Sequence, residues 1–303
     1  VKSSDYFNTR LTPIAYSKNS WTVLNVIEQG IKTKIENIGI PLKDWDIKIY
    51  RGILTGYNEA FIIDKKTKDE LILDSPKNAE IIRPILRGRD LTRYNYNFSD
   101  LWMIIAEFGS HRYLASDYPT IYNYLSQFEK RLKDRGQCRY TSSGRSNPDK
   151  EFPGQHHWLE LDNNPTKEFL DFFSKPKIIW GEISDKSKFA YDESSYFTEA
   201  TTFIMTGEKL KYLLSQLNSK LLEWYFNQIG TATGVGTNRW KKYTIEQLPV
   251  RIPTDEQLEF IENLVDSRIN CIDEGEKIKI EKKIDELVYS LYELTEEEIL
   301  FFS

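Results

Sequence analysis

Apolar residues recur at helical spacing at Val23, Ile27, Ile31, Ile35 and Ile38, which predicts a helix over 20–38 with Ser20 as N-cap and Gly39 as its stop. Strands are predicted at 46–53, 59–63 and 100–106. Ile121, Tyr124, Leu125, Phe128 and Leu132 mark one apolar face of a helix over 114–132, with Tyr118-Pro119 near its start. KIIWGEI at 177–183 and SYFTEATTFIMT at 195–206 read as strands, 208–229 as helix, and GTATGVG at 230–236 as a flexible loop. Residues 136–153 are rich in Gly, Ser, Asn, Asp and Pro and read as a long exposed loop; loops beyond about 12–15 residues in a compact domain are often functional.

After Leu248-Pro249-Val250 the pattern changes. Thr254 with Gln257 forms a capping box, and Leu258, Ile261, Leu264, Val265, Ile269 and Ile272 follow as a helical stripe. Gly275 interrupts or bends it, and Ile280, Ile284, Leu287, Val288 and Leu291 continue it. Thr295 and Glu298 make a second capping box for a short last helix. The division expected is therefore a body over 1–253 and a helical arm over 254–303.

Composition narrows the class. The chain has 303 residues with 40% hydrophobic and 14% aromatic content, enough for a real core. No apolar run reaches the roughly 18–20 residues of a membrane helix, and no signal-peptide pattern is present. Cys138 and Cys271 are far apart and lack metal-ligand spacing, so a reduced, cytoplasmic setting is the simplest reading. The first residue is Val1, not Met, which suggests a piece of something longer.

The net charge of −5 hides an asymmetry. Residues 255–303 hold 15 acids against 5 bases, while 1–254 hold 36 bases against 31 acids. Arg83, Arg87, Arg89 and Arg93 crowd into eleven residues with one acid, Asp90. A second basic cluster spans 130–150, with Lys130, Arg131, Lys133, Arg135, Arg139, Arg145 and Lys150. Crowded guanidinium groups repel one another unless an anion lies between them, and nucleic-acid phosphate is the commonest such partner. The acidic tail should face away from such a partner.

Catalytic patterns are scarce. The acidic-Pro-Pro-aromatic motif of adenine methyltransferases is missing, since Asn164-Pro165-Thr166 lacks the second proline and the aromatic. The glycines at 234–236 are not framed as strand, turn and helix, as a methyl-donor loop requires. Pro148-Asp149 is not followed by the Glu-x-Lys of a metal nuclease, and Glu281-x-Lys283 lies on a predicted acidic helix. His111, His156 and His157 have no nearby Cys to complete a zinc site.

Two segments carry a family resemblance. Residues 52–63, GILTGYNEAFII, read as strand, tight turn and strand, with Gly52 and Gly56 supplying backbone freedom. They match GI-x-TG-x-N-x-AF, and residues 82–94 match I-x-P-x-LRG-x-D-x-x-RY. HHWLEL (156–161), KPKIIWGEIS (175–184), LNSKLLEWYF (217–226), NRWKKYTIEQLPV (238–250) and DELVYSLYELTEEEI (285–299) follow in order. With these the chain resembles the TaqI-like target-recognition domain, the DNA-reading module of type IIG restriction-modification enzymes and related adenine methyltransferases.

The resemblance implies a mixed α/β (α+β) recognition domain, with a central sheet flanked by helices and a C-terminal helical arm. It implies double-stranded DNA as partner, together with a methyltransferase or nuclease domain or subunit, which in similar enzymes lies opposite the recognition domain and flips the target adenine. No cofactor is expected in this chain; S-adenosylmethionine and magnesium are those of the parent enzyme. Catalytic parts are either cut away or on a separate polypeptide. The alternative reading is a specificity-subunit-like or protein-interaction module of a phage-defence complex.

The DNA-contact candidates are Thr55 and Asn58 in the first motif and Arg87, Arg89 and Arg93 in the second. Arg139, Tyr140, Ser142, Arg145, His156 and His157 follow in and beside the long loop. Lys186 and Lys188 lie after the Ile183 strand, and Asn238, Arg239, Lys241 and Lys242 form the last cluster. Arg and Lys suit phosphates, while Arg, Asn, Ser and His also suit base edges. For Arg87, Arg89 and Arg93 the competing role is pairing with Asp90 to hold the turn; for Thr55 and Asn58 it is turn duty alone. Trp240 reads as a core anchor.

Overall fold

The computed structural model describes residues 24–140, 151–163, 165–234 and 236–302. They form two compact units. One comprises Lys48–Glu182 and Ala190–Thr206; the other holds the described residues of 1–47, 183–189 and 207–303. The expected mixed helix-and-sheet fold is present, with its strands distributed over several sheets.

The first unit is built on two four-stranded sheets. One runs in the order Ile47–Arg51, Thr202–Gly207, Lys177–Gly181 and Ala190–Asp192. The other runs Ile62–Asp64, Leu101–Ile104, Ile82–Leu86 and Phe197–Thr198, the last pair being parallel. Their inner faces share a core that includes Phe61, Ile85, Met103, Leu125, Phe173 and Ile204. Ile121, Leu125 and Leu132 are buried as the periodicity predicts, but they lie on separate short helices, Pro119–Ser126 and Glu129–Lys133, after Leu114–Asp117. Pro119 has no N–H to continue the first of these, so a new helix starts with proline in its first turn.

The GYNEAF stretch departs from the predicted strand. Asn58–Phe61 is one turn of helix, and the strand begins only at Ile62. The turn points both Ala60 and Phe61 into the core, which an alternating strand would not do.

In the second unit the expected cap Ser20 and the apolar Val23 lie outside the described residues, and a helix runs over Val26–Ile38. Asn25 caps it, and Glu28 returns the bond to Asn25 N–H. Predicted helix 208–229 is two helices, Leu210–Leu217 and Lys220–Ile229, with Ser219 capping the second. Both later capping boxes are present, at Thr254–Gln257 and Thr295–Glu298. Asp273 caps Glu274–Leu291, so the break near Gly275 separates it from Asp255–Asn270. Residues 254–302 pack into this unit: Asp285 accepts the Lys220 N–H at 2.9 Å, Tyr292 donates to Pro249 O at 2.8 Å, and Glu298 pairs with Lys34 at 2.7 Å.

Candidate nucleic-acid interface

In the first unit the GILTG turn is held by backbone contact. Ile53 bridges Glu199, and a Cβ on Gly52 would lie 2.1 Å from Glu199 O, so only glycine fits. Thr55 is buried, and its hydroxyl donates to Asn58 Oδ1 at 2.5 Å. Exposed Asn58 extends an amide toward Glu199 Oε2 at 3.4 Å. Arg51 Nη2 donates to Glu182 Oε2 at 2.8 Å, and its Nε donates to Ala200 O at 2.6 Å.

The LRGRD turn resolves its own charge. Asp90 accepts both Arg87 Nε and Nη2 at 3.0 Å, the Arg87 N–H at 2.8 Å and the Ser99 hydroxyl at 2.7 Å. Hydrogen bonding to Asp90 holds the Arg87 guanidinium above its usual range. Arg87 thus serves the turn, Arg89 is exposed beside it, and Arg93 is half-buried.

The basic cluster at 130–150 contains one residue that faces inward. Arg135 is 6% exposed and donates to four backbone carbonyls, those of Leu132, Thr55, Trp158 and Glu160, at 2.7–3.0 Å. It knits the GILTG turn to HHWLEL. His156 is fully buried between Cys138 and Asp162. Its Nδ1 lies 2.9 Å from His157 O and its Nε2 2.5 Å from Asp162 Oδ1. Against the pull of burial, the adjacent Asp162 carboxylate favours the imidazolium and lifts the ring to about 9, which leaves no ring lone pair to activate the Cys138 thiol. Cys138 is itself fully buried, so the Cys-His-Asp arrangement has no route to a substrate.

Thr55 and His156 therefore shape the surface and offer it no atom. His157 is half-buried, its ring stacked on His111 at 4.5 Å. Tyr140 is half-buried beside His157 and under Lys133, and burial pushes its hydroxyl up to about 12. Arg139 is exposed, with a left-handed backbone at φ +57°. Ser142 and Arg145 lie outside the described residues.

In the second unit a small sheet gathers the other candidates. Asn238–Arg239 is its central strand, flanked by Thr231–Ala232 and Ile183–Ser184. The loop carrying Lys186 and Lys188 and the hairpin carrying Asn238 and Arg239 thus come from one sheet, although about fifty residues separate them. Lys186, Arg239 and Lys242 are exposed; Lys188 pairs with Asp185 at 2.7 Å and Lys242 with Glu246 at 3.6 Å. Asn238 donates to Asn227 at 2.6 Å, and Lys241 lies over the exposed Tyr243 ring. Trp240 is the core anchor expected, 2% exposed and stacked on Phe226 at 3.8 Å.

The LRGRD turn and the small sheet lie in the stretch that decides the family, and the GILTG turn precedes it. The model of the TaqI-like C-terminal specificity domain matches residues 83–250. The chain belongs to that family. Among solved structures, the TaqI-like chain is similar to MmeI, a type IIL restriction-modification enzyme in complex with DNA. The TM-score is 0.58 at 14% identity, covering 86% of this chain and 34% of MmeI. It is similar also to BpuSI, a type IIG restriction endonuclease, with TM-score 0.50 at 14% identity, covering 88% and 32%. The chain spans about a third of the length of each, and the likeness is one of fold. A search of curated proteins found no significant match.

The first unit also holds a polar cluster that the sequence alone does not bring together. His111, Arg112, Glu151 and Glu160 come together, lining or backing a cleft of about 520 Å³ with Phe108 and Phe152. The letters His-Arg beside Gly109 gave a weak signal; the two carboxylates lie 39 to 49 residues away. Among the described residues no helix is long and apolar enough to cross a membrane.

Proposed function

We propose that this chain reads a short double-stranded DNA site for a type IIG-like restriction-modification adenine methyltransferase. Methyl transfer, and any cleavage, belong to parts outside it, which would use S-adenosylmethionine and magnesium. The observation that carries this reading is the family match over 83–250, a span that contains most of the exposed cationic candidates. Arg89, Arg139, Lys186, Arg239, Lys241 and Lys242 grip or read the duplex; Arg87, Thr55 and His156 hold the loops in shape. Residues 1–253 carry the DNA contacts, and the acidic helices of 254–303 meet the catalytic part, where exposed Phe260, Ile272 and Ile278 offer apolar contact.

The test is retention of a randomised duplex pool by the purified chain at two salt concentrations, followed by sequencing. Enrichment of one short motif supports an autonomous reader. Salt-sensitive retention without enrichment means that reading needs the catalytic partner. No retention at either salt refutes the proposal in favour of a protein-interaction module.

A further inference from the structure

His111 and Arg112 lie outside every residue assigned above to DNA, and both face one exposed carboxylate. Glu151 Oε2 accepts from Arg112 Nη2 at 2.8 Å and Nε at 3.3 Å, and Glu151 Oε1 lies 2.9 Å from His111 Nε2. On the far side of the same ring, His111 Nδ1 lies 2.5 Å from Glu160 Oε1. Glu160 is fully buried and also accepts the backbone N–H groups of Gly109 at 2.7 Å and His157 at 3.0 Å. The ring thus lies within hydrogen-bond distance of a carboxylate on each side, and buried Glu160 fixes its orientation.

The parts differ in mobility of attachment. The His111 side chain is 8% exposed and is clamped by Glu160 and by the stacked ring of His157. Arg112 and Glu151 are 69% and 49% exposed, so their pairing is weakened by water and open to exchange. The bonds to Arg112 and His111 hold the Glu151 carboxyl down at about 2, so it is present as an anion. Burial, reinforced by the charge on His111, holds His157 down at about 4, so the stacked neighbour adds no competing charge. Behind Glu151 stand the Arg112 guanidinium fork and, beside it, the Nε2 edge of a ring held in place by Glu160. That is the geometry that takes two oxygens of a phosphate.

We propose that His111 and Arg112 form a phosphate-binding site, that Glu151 fills it in the free protein, and that a backbone phosphate of duplex DNA takes the place of the carboxylate. The source of the phosphate rests on the reading of the chain as a DNA reader; the anion site itself does not. Such a contact positions a duplex without reading its sequence. Glu151 raises the threshold for binding, because each phosphate that enters must displace a carboxylate already there.

Glu151→Gln, Arg112→Ala and the double variant test this in the full chain, since both side chains are solvent-facing. The first arm titrates inorganic phosphate and follows the His111 ring signals by NMR. A phosphate-dependent shift in Glu151→Gln that is lost in the double variant supports the site; no shift in Glu151→Gln overturns it, whatever the chain does with DNA. The second arm measures duplex affinity against salt. Glu151→Gln should steepen the slope of log K against log salt by about one, and only while Arg112 is present. An equal steepening without Arg112 reflects net charge alone and overturns the DNA-phosphate assignment, as does no steepening. If the unaltered chain binds no duplex, the DNA-reading proposal fails, and the first arm still decides the anion site.

Discussion

Arg135 Nη1 donates to the Thr55 carbonyl at 2.7 Å, joining positions eighty residues apart. Nη2 serves Trp158 O and Glu160 O at 2.8 Å each, Nε serves Leu132 O at 3.0 Å, and the guanidinium lies over the Phe61 ring. Lysine keeps the charge but has a single nitrogen, which cannot reach four carbonyls arranged around a planar fork. Arg135→Lys should therefore cost about 2–4 kcal/mol, because buried carbonyls lose their donors. Urea unfolding checks this; a loss below about 0.5 kcal/mol would show that charge and not the fork is what matters.

The two adjacent histidines predict opposite pH limbs. Burial pulls His156 down, but its bonds, led by Asp162, outweigh this and lift it to about 9 from 6.5. Its contribution is fully present below 6.5 and is lost as pH rises through 9. His157 is held at about 4, so the folded state resists its protonation and stability falls as pH drops from 6.5 through 4. Stability should peak near pH 6.5, each limb amounting to about 3 kcal/mol. His156→Asn should flatten the alkaline limb and spare the acidic one. An alkaline limb that survives in that variant would falsify the assignment.

What the sequence made legible was local. The boxes at Thr254–Gln257 and Thr295–Glu298 close over three residues, and the structure contains both. Arg87 and Asp90 are also three apart, yet the crowded arginines drew attention to an external anion before the internal one. Long-range pairings were not legible. Nothing in one chain says that Glu182 answers Arg51, that Glu160 answers His111, or that Arg135 turns inward while Arg139 remains exposed. The Asn58–Phe61 turn failed for a related reason. Its letters suit a strand, and burial of Ala60 and Phe61 together overrides that preference.

Lys177 and Asp192 form an ion pair in which both side chains are fully buried, 2.5 Å apart. Asp192 also accepts the Tyr96 hydroxyl and the N–H groups of Ser194 and Tyr196, and Lys177 donates to Phe173 O at 2.6 Å. Burial pulls the ammonium below its ordinary range, and Asp192 opposes that pull. Lys177→Met strands a buried carboxylate and should cost about 3–5 kcal/mol. Adding Asp192→Asn removes the stranded charge, so the double variant should be more stable than Lys177→Met. Chemical denaturation of the three variants decides it; additive losses would refute the coupling.

Duplex recognition separates the loop arginine from the paired lysines. Phosphates are the same at every base step, so a side chain that grips one contributes equally to all sequences. Lys241→Ala with Lys242→Ala should weaken binding to every duplex by a similar factor and lower the salt slope by about one for each phosphate no longer neutralised. Glu246 does not substitute for a phosphate here, because an exposed pair at 3.6 Å contributes little. Arg139 is exposed, and a side chain at a base edge is worth about 1–3 kcal/mol against the wrong base. Arg139→Ala should therefore relax choice at one position of the enriched site and leave the others unchanged. Sequencing the pool retained by each variant is the measurement. Unchanged choice in Arg139→Ala would put base reading elsewhere, and an unchanged salt slope without the lysines would remove them from the phosphate-gripping set.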